Sequence, residues 1–493
     1  MLQPSRKQQI LPMKKVVIIF ALLLAVPAAF TGCDLLDSSN VQNPNVLEET
    51  ALSNPDPLQA WAAGLDRQLA LAMNEIVLSS EVATDNYKNT QTFFTQSFDA
   101  LDFDYRDTNI DDIFFDVNDL RESASYGLTV VKDADPNPRA IDEAESLYYL
   151  GLSHILLGEF FKDAPLDENG PAASSADHFN EAVSALNDAI DTDVTNRTKY
   201  EAALARAHYN LGNVAEATSF AQAVLDADDE FLTFARFNPP PIGPSNTMQN
   251  GVYDRGTFDD LQPLPRLDFL DPKYYNRGGS EESPIPLFKA EEAHLILIEA
   301  ALAEGAGSLP DAQAEMIELI ELTNSREIDV VDEREEGRDQ DDPGSRPDTS
   351  SVRVAASPDD SLRSGLVRDR TLTTDVPVVS ATSVTEDIVN GITTLDQAWE
   401  VYYLLRQEIF FGEGRRFVDF GIKLPLSQPE AINNPNFQES GSIIESFIPS
   451  YILAEVDNLD AFEYDADAGE AVVTVNMNRV LAENRADVSP FLD

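Results

Sequence analysis

The feature that most constrains the fold is a helical spacing of apolar residues that begins near Pro57. Leu58, Trp61, Leu65 and Leu69 recur at intervals of three and four residues, which places them on one face of a helix. Similar, often alanine-rich, patterns occur at 145–161, 176–190, 200–211, 214–225, 287–304, 312–324 and 395–411. The sequence therefore predicts a mainly α fold.

Two of these helical segments resemble each other. Residues 181–190 align with residues 216–225 at an offset of 35, close to the 34-residue period of tetratricopeptide repeats. The small residues Ala207, Gly212 and Ala217 stand where paired helices would approach closely. We therefore predict a tetratricopeptide-like helical array in an N-terminal region, 58–240.

The second half, 241–493, is richer in loops. Proline-rich residues 237–244 and glycine-rich residues 251–283 lack any regular period. Residues 329–375 are polar and highly charged, which predicts a mobile surface insertion. A short strand is expected at 471–475. The predicted architecture is thus a helical array followed by a loop-rich C-terminal subdomain.

The N-terminus has the pattern of an export signal. Lys14 and Lys15 precede an apolar run at 16–29 and then Cys33, the only cysteine of the chain. The run is shorter than the roughly 20 residues that span a bilayer. We interpret 1–32 as a lipoprotein signal peptide, Cys33 as the acylated new N-terminus and 33–57 as a tether. The alternative is an incidental cysteine after an ordinary secretory signal. With one cysteine, no disulfide framework holds the fold.

The chain is extremely acidic. It carries 34 basic and 87 acidic side chains, a formal net charge of −53. Nucleic-acid binding depends on clustered Lys and Arg, so a nucleic-acid partner is not expected. The acidic side chains are spread along the chain and only ten residues are lysine. This composition predicts a surface adapted to high salt; a surface for cationic ligands is the alternative.

No catalytic motif stands out. The four histidines, His154, His178, His208 and His294, lack the spacing of a zinc site. A calcium-like start at 133–137 has Pro138 where such a loop needs glycine. Phosphate-loop and nucleophile-elbow motifs are missing as well. We therefore expect no enzyme activity, no catalytic residue, no metal and no cofactor, although paired carboxylates among so many acids cannot be recognised by spacing.

Three segments, at 144–166, 290–300 and 406–421, carry extended sequence patterns, and together they resemble the SusD/RagB family of outer-membrane nutrient-binding lipoproteins. Residues 144–166 are similar to a family helix that ends in an Asp-x-Pro-Leu turn. Residues 290–300 are similar to its Ala-Glu-x-x-Leu-x-x-Ala-Glu-Ala helix. Residues 406–421 are close to its Arg-x-x-Glu-Phe-x-x-Glu-Gly-x-Arg-x-x-Asp-Leu pattern. The segments occur in the family's order, and the resemblance covers essentially the whole mature chain.

The resemblance implies a SusD-like α–α superhelix, lipid-anchored in the outer membrane and exposed at the cell surface. It implies binding of an extracellular nutrient, with an oligosaccharide as the expected ligand, and delivery to a SusC-like TonB-dependent transporter. Two alternatives stay open, a lipid-anchored glycan hydrolase and a non-binding helical scaffold.

The resemblance also suggests where a ligand would bind, because sugar rings stack on aromatic side chains. Stretches that match those used by family members contain Asp85, Asn86, Tyr87, Phe93, Phe94, Tyr253, Tyr274 and Tyr275. Trp61 and Trp399 lie in helical patterns and are expected in the core. Glu292 and Glu299 share one face of an apolar helix and would need buried partners, for which Arg415 and Arg416 are available.

Overall fold

The computed structural model describes residues 52–89, 95–254, 261–275, 281–336, 346–437 and 441–492. The chain divides into two units, Met1–Pro55 and Asp56–Asp493. Every element below belongs to the second unit. Cys33, Phe93 and Phe94 lie outside the described residues, so the predictions of lipidation at Cys33 and of a signal peptide stay predictions.

The described chain is mainly α-helical, as predicted. The longer helices are α1 (Pro57–Val82), α3 (Thr108–Tyr126), α5 (Ala140–Phe160), α6 (Ser175–Thr192), α7 (Arg197–Asn210), α8 (Val214–Ala227), α10 (Ala290–Ala303), α11 (Leu309–Ser325) and α13 (Leu395–Ile409). The shorter helices are α2 (Gln96–Asp99), α4 (Lys132–Ala134), α9 (Thr247–Gln249), α12 (Glu386–Asn390), α14 (Arg416–Asp419), α15 (Gln428–Asn433), α16 (Ser450–Leu453), α17 (Met477–Glu483) and α18 (Arg485–Val488).

Short strands form small sheets beside the helices. The strands are β1 (Tyr87–Asn89), β2 (Asp163–Pro165), β3 (Ala172–Ser174), β4 (Leu232–Ala235), β5 (Leu261–Pro263), β6 (Ile285–Lys289), β7 (Ile328–Asp332), β8 (Arg353–Ala355), β9 (Thr373–Pro377), β10 (Phe462–Asp465) and β11 (Glu470–Val473). The antiparallel pairs are β1–β5, β2–β3, β4–β6, β7–β9 and β10–β11, and β8 joins β11 in parallel. The predicted strand at 471–475 is confirmed as β11.

Helices α5 and α6 show why the array forms. Ser174 caps α6 in a capping box with Asp177, which satisfies free amides of the first turn. A Cβ on Gly151 would lie 2.8 Å from the Leu186 side chain, and one on Gly158 would lie 2.7 Å from the ring of Phe179. From Gly151 to Gly158 the contact moves seven residues towards the C-terminus of α5. The contacted residue meanwhile moves seven residues towards the N-terminus of α6, from Leu186 to Phe179. The two helices run antiparallel, and the glycines allow them to approach closely.

The next helices continue this packing. α6 packs on α7, α7 on α8, α8 on α10 and α10 on α11. Ala207 and Ala217 are buried, as expected of residues between paired helices. Gly212, with φ of 70°, makes the turn between α7 and α8, and the carbonyl of Pro490 lies against it. The predicted tetratricopeptide-like array is thus confirmed.

The helix predicted at 287–304 begins later than expected. Residues Ile285–Lys289 form β6, and the helix starts at Ala290. β6 pairs with β4, while the Lys289 ammonium donates to the Glu413 carboxylate at 2.6 Å. Both contacts are distant in sequence, and an apolar run alone does not separate a buried strand from a helix.

The polar segment 329–375 differs from the mobile surface insertion that we predicted. Its described residues include β8 and most of β7 and β9. The guanidinium of Arg370 contacts Asp268 at 2.5 Å, Glu333 at 3.0 Å and Asp271 at 3.2 Å, and all four side chains are buried. The charged residue Arg370 therefore forms buried ion pairs that connect this segment to Asp268 and Asp271.

The two tryptophans differ in burial. Trp399 is fully buried on α13, as expected. Trp61 is partly exposed, and its indole donates to the Ser123 carbonyl at 2.7 Å. Among the helices that the structure describes, none is long and apolar enough to cross a membrane.

Candidate functional site

A tight turn after α13 connects distant parts of the chain. Gly412 and Gly414 adopt φ of 75° and 73°, a region that glycine enters without strain. Their amides donate to the Glu81 carboxylate at the end of α1, at 3.1 and 2.8 Å. Burial raises the pKa of Glu81 to about 7, although these hydrogen bonds oppose the shift.

The arginines after this turn are held by buried acids. Arg415 bonds the Glu159 carboxylate at 2.8 Å and contacts Glu292 at 3.4 Å. Glu292 is held mainly by Arg206, at 2.7 and 2.6 Å. Burial opposes ionisation of Glu292, but Arg206 and Arg415 lower its pKa below the ordinary value. Arg415, one of the two arginines named as available partners, thus contacts Glu292.

Glu299 has other partners than predicted. Its carboxylate accepts hydrogen bonds from the hydroxyls of Tyr209, Tyr402 and Ser489. Arg416 instead pairs with Asp85. These interactions join α1, α5, α7, α10 and the turn after α13. They are interior contacts, so Glu292 and Glu299 have the buried partners that the sequence required of them.

The six described residues that we expected to contact a ligand are all buried: Asp85, Asn86, Tyr87, Tyr253, Tyr274 and Tyr275. The Tyr87 hydroxyl donates to Asp271 at 2.9 Å, and its ring stacks on Phe411. The Tyr274 hydroxyl donates to the Gly412 carbonyl at 2.6 Å. None of the six offers an open ring face or a free edge to a sugar, because core packing and internal hydrogen bonds occupy them.

A polar cleft lies elsewhere, between α13, the segment that follows β8 and the start of α17. Its volume is about 340 Å³. Glu400, Leu404 and Glu408 face it from α13, because residues four apart share one side of a helix. The other lining residues are Arg266, Val354, Ala356, Asp360, Ser361, Arg363, Leu366, Ser383, Asn476 and Asn478.

The carboxylates of this cleft already have donors. Glu408 accepts from the Thr382 hydroxyl at 2.7 Å and from the amide and hydroxyl of Ser383 at 2.7 and 2.6 Å. Asp360 and Glu400 both accept from Arg479, at 2.5 and 3.1 Å. Burial opposes ionisation of Asp360, but hydrogen bonds from Ser357 and Arg479 lower its pKa. The acids of the cleft therefore act as fixed acceptors of internal bonds.

Sequence reasoning missed this cleft. Its lining residues come from positions between 266 and 478, so no local motif marks them. The only local indication of the cleft was the four-residue spacing of Glu400, Leu404 and Glu408, which places them on one side of a predicted helix. That pattern is also the ordinary pattern of a half-buried helix face.

Three of the four histidines contact another titratable side chain, and their spacing in the sequence did not predict these contacts. His154 and His178, on neighbouring helices, approach to 3.0 Å between their Nδ1 atoms. Burial lowers the pKa of both, to about 3 and about 4.

Among the described residues, His294, Glu315 and Glu318 could hold a metal ion, since their ligand atoms lie within 4.8 Å of one another. His294 Nδ1 and Glu315 Oε1 are already hydrogen-bonded at 2.6 Å.

Comparison with known proteins gave matches among solved structures. No protein-family model matches the chain, and no curated protein matches it. A SusD superfamily protein from Bacteroides fragilis is 13% identical, over 75% of this chain and 90% of that one, with a TM-score of 0.49. A laminarin-binding SusD-like protein is 11% identical, over 74% of this chain and 90% of that one, with a TM-score of 0.46.

A third structure, determined with a xylogluco-oligosaccharide, is 10% identical over 89% of this chain and 98% of that one, with a TM-score of 0.49. The superfamily named for the first of these structures is the one that the sequence motifs resemble.

Proposed function

We propose that this protein is a surface-exposed outer-membrane lipoprotein that binds an oligosaccharide and passes it to a SusC-like TonB-dependent transporter. The observation that carries the binding role is the polar cleft beside α13. It combines arginine, asparagine and serine side chains with apolar Leu366 and Leu404. Small-molecule sites join a few placed polar groups to an apolar wall in this way.

The location and the partner rest on the sequence. Cys33 follows a basic and apolar signal, and two or more acyl chains on one cysteine would anchor the protein stably. The segments at 144–166, 290–300 and 406–421 resemble the SusD/RagB family, whose members act beside such transporters.

A glycan hydrolase is the second candidate, because three carboxylates line the cleft. A glycosidase needs one acid that stays protonated until it protonates the leaving group. Asp360 is held with a lowered pKa, which suits an ionised acceptor. Glu408 accepts three hydrogen bonds from Thr382 and Ser383, so both of its carboxylate oxygens are already engaged by the protein. We therefore propose binding without cleavage.

Binding is tested with the full chain, extracted in detergent, by titration calorimetry against a panel of oligosaccharides in high salt. A saturable isotherm with unchanged sugar on chromatography is expected. Shortened sugars would favour the hydrolase, and no heat with any sugar would favour the scaffold.

Location is tested separately. Wild type should partition with the outer membrane and be cut by protease added to intact cells. Cys33→Ser should be released from the membrane. A β-barrel transporter should co-purify with wild type; its absence from the purified complex would contradict the proposed partnership.

A further inference from the structure

Arg266, a buried arginine of the cleft, lacks the direct carboxylate partner that seven other buried basic side chains have. Arg266 is 6% exposed. Its only hydrogen bond within the described part of the chain runs from Nη1 to Asn476 Oδ1, at 3.4 Å. Other buried basic side chains contact a carboxylate directly: Arg206, Lys273, Lys289, Arg368, Arg406, Arg415 and Arg416.

This difference is informative in a chain with 87 acidic side chains. A buried charge is costly unless an opposite charge or hydrogen-bond acceptors compensate it. Burial lowers the pKa of Arg266, and Asp85 and Glu408 oppose that shift from a distance. Neither acid forms an ion pair with Arg266, because Asp85 is bonded to Arg416 and Glu408 to Thr382 and Ser383. The free side of Arg266 faces the cleft.

A second guanidinium lines the same cleft. Arg363 Nη2 donates to the Ser383 carbonyl at 2.7 Å, and no carboxylate pairs with Arg363 among the described residues. The cleft acids Asp360, Glu400 and Glu408 accept bonds from the protein itself. Unused donors therefore come from Arg266 and Arg363. Arginine pairs strongly with carboxylate and other oxyanions through two parallel N–H groups.

We propose that the cleft selects an acidic sugar unit, whose carboxylate or sulfate group supplies the missing counter-ion of Arg266 while Arg363 contacts the same unit. This inference rests on the proposed oligosaccharide-binding function and names its substrate class. The volume of about 340 Å³ is at the small end of ligand sites, which span roughly 300–1,000 Å³. One unit of a longer chain would enter, and the rest would lie outside.

The test compares matched ligands on the detergent-solubilised full chain by titration calorimetry. Oligogalacturonate is compared with its methyl ester, which keeps the sugar and removes the charge. A sulfated galactan oligosaccharide is compared with its desulfated form. At least tenfold tighter binding of a charged form is expected. The pair that shows this preference identifies the anion as carboxylate or sulfate.

Two variants test the residue. Arg266→Gln should abolish the preference for the charged ligand. It should not lower the melting temperature, because it removes a buried charge that has no counter-ion. Arg353→Gln is the matched control: Arg353, the first residue of β8, pairs with Glu470 outside the cleft lining, and its loss should leave the preference intact.

The binding results distinguish a failure of the proposed preference for acidic sugars from a failure of the proposed oligosaccharide binding. Equal binding of charged and neutral sugars, or a preference that survives Arg266→Gln, would overturn the inference and leave the binding function standing. If Arg266→Gln unfolds the protein, Arg266 is a structural residue and the inference is also wrong. Failure of every sugar to bind would overturn the proposed function, and the inference with it.

Discussion

Arg416 and Asp85, 331 positions apart, form a two-point ion pair: Nε donates to Oδ1 at 2.7 Å and Nη2 to Oδ2 at 3.0 Å. Both side chains are buried. Gln407 adds a third hydrogen bond to Asp85 at 2.8 Å. The pair joins the segment after α1 to the first residue of α14, so the N-terminal helix and the C-terminal half share one polar core.

Breaking this pair is expected to be costly. Asp85→Asn leaves the Arg416 charge buried without a counter-ion, and loss of one partner of a buried pair costs about 3–5 kcal/mol. Denaturant unfolding in high salt measures the effect. Asp104→Asn, which breaks an exposed pair with Arg106, is the control and should change stability little. If Asp104→Asn lowered the free energy of unfolding as much as Asp85→Asn, burial would not be what makes the Asp85–Arg416 pair costly to break.

The turn at Gly414 gives a second prediction. Gly414→Ala should destabilise the protein by more than about 1 kcal/mol, because φ is positive and left-handed backbone costs a side-chain-bearing residue roughly 1–2 kcal/mol. The new Cβ would also lie 3.3 Å from Ile76 Cγ2. Gly469 has a φ of 63° with open space around it, so Gly469→Ala measures the backbone cost alone. Equal unfolding free energies for the two variants would mean that the contact with α1 is unimportant.

Stability should depend on pH through a carboxyl cluster between α1 and α3. Burial, then repulsion from Asp112 and Asp116, raises the pKa of Glu75 to about 7 from 4.5. A raised folded-state pKa gives stability that is complete below pH 4.5 and is lost as the pH rises through 7. Glu75→Gln should therefore stabilise the protein more at pH 8 than at pH 4.5, by about 1–3 kcal/mol, since one pKa unit corresponds to about 1.4 kcal/mol.

Thermal unfolding at the two pH values checks this prediction. Glu181→Gln, an exposed substitution on α6, should leave stability nearly unchanged at both. A Glu75→Gln effect that is the same at pH 4.5 and pH 8 would show that folding does not raise the pKa of Glu75.

Salt should stabilise the chain. Its net charge of −53 repels itself, and the Debye length falls from about 10 Å at 0.1 M salt to about 3 Å at 1 M. We expect the melting temperature to rise over this range. Sucrose at equal osmolality controls for solute exclusion, which also favours compact states. A melting temperature that is flat in salt, or rises equally in sucrose, would contradict adaptation through charge screening.

The helices were predictable because their signal is local. Residues 176–190 and 214–225 show the apolar spacing that appears as α6 and α8, and Ser174 with Asp177 is a capping box visible in the sequence. The strand at Ile285–Lys289 was not predicted, since its pairing with β4 is a contact between distant positions.

The candidate site was much harder to predict. An aromatic residue such as Tyr87 has the same sequence signature in a core as on a sugar platform, and only packing against Phe411 distinguishes the two. Arg266 is likewise one of 34 basic residues until the positions of the acids around it are known. The ion pairs of Arg370 were hidden in a segment whose composition resembles that of a surface loop.

The turn after α13 also makes the stability of the helical array depend on synthesis of the C-terminal part of the chain. Residues Gly412 to Arg416 donate hydrogen bonds to Glu81, Asp85 and Glu159, and Arg415 and Arg416 are the counter-ions of Glu159 and Asp85. A chain that stopped before this turn would keep the helical array, yet Asp85 and Glu159 would lose their arginine counter-ions and Glu81 would lose two hydrogen bonds. Prematurely terminated copies should therefore be less stable than the full chain and more readily degraded by proteases.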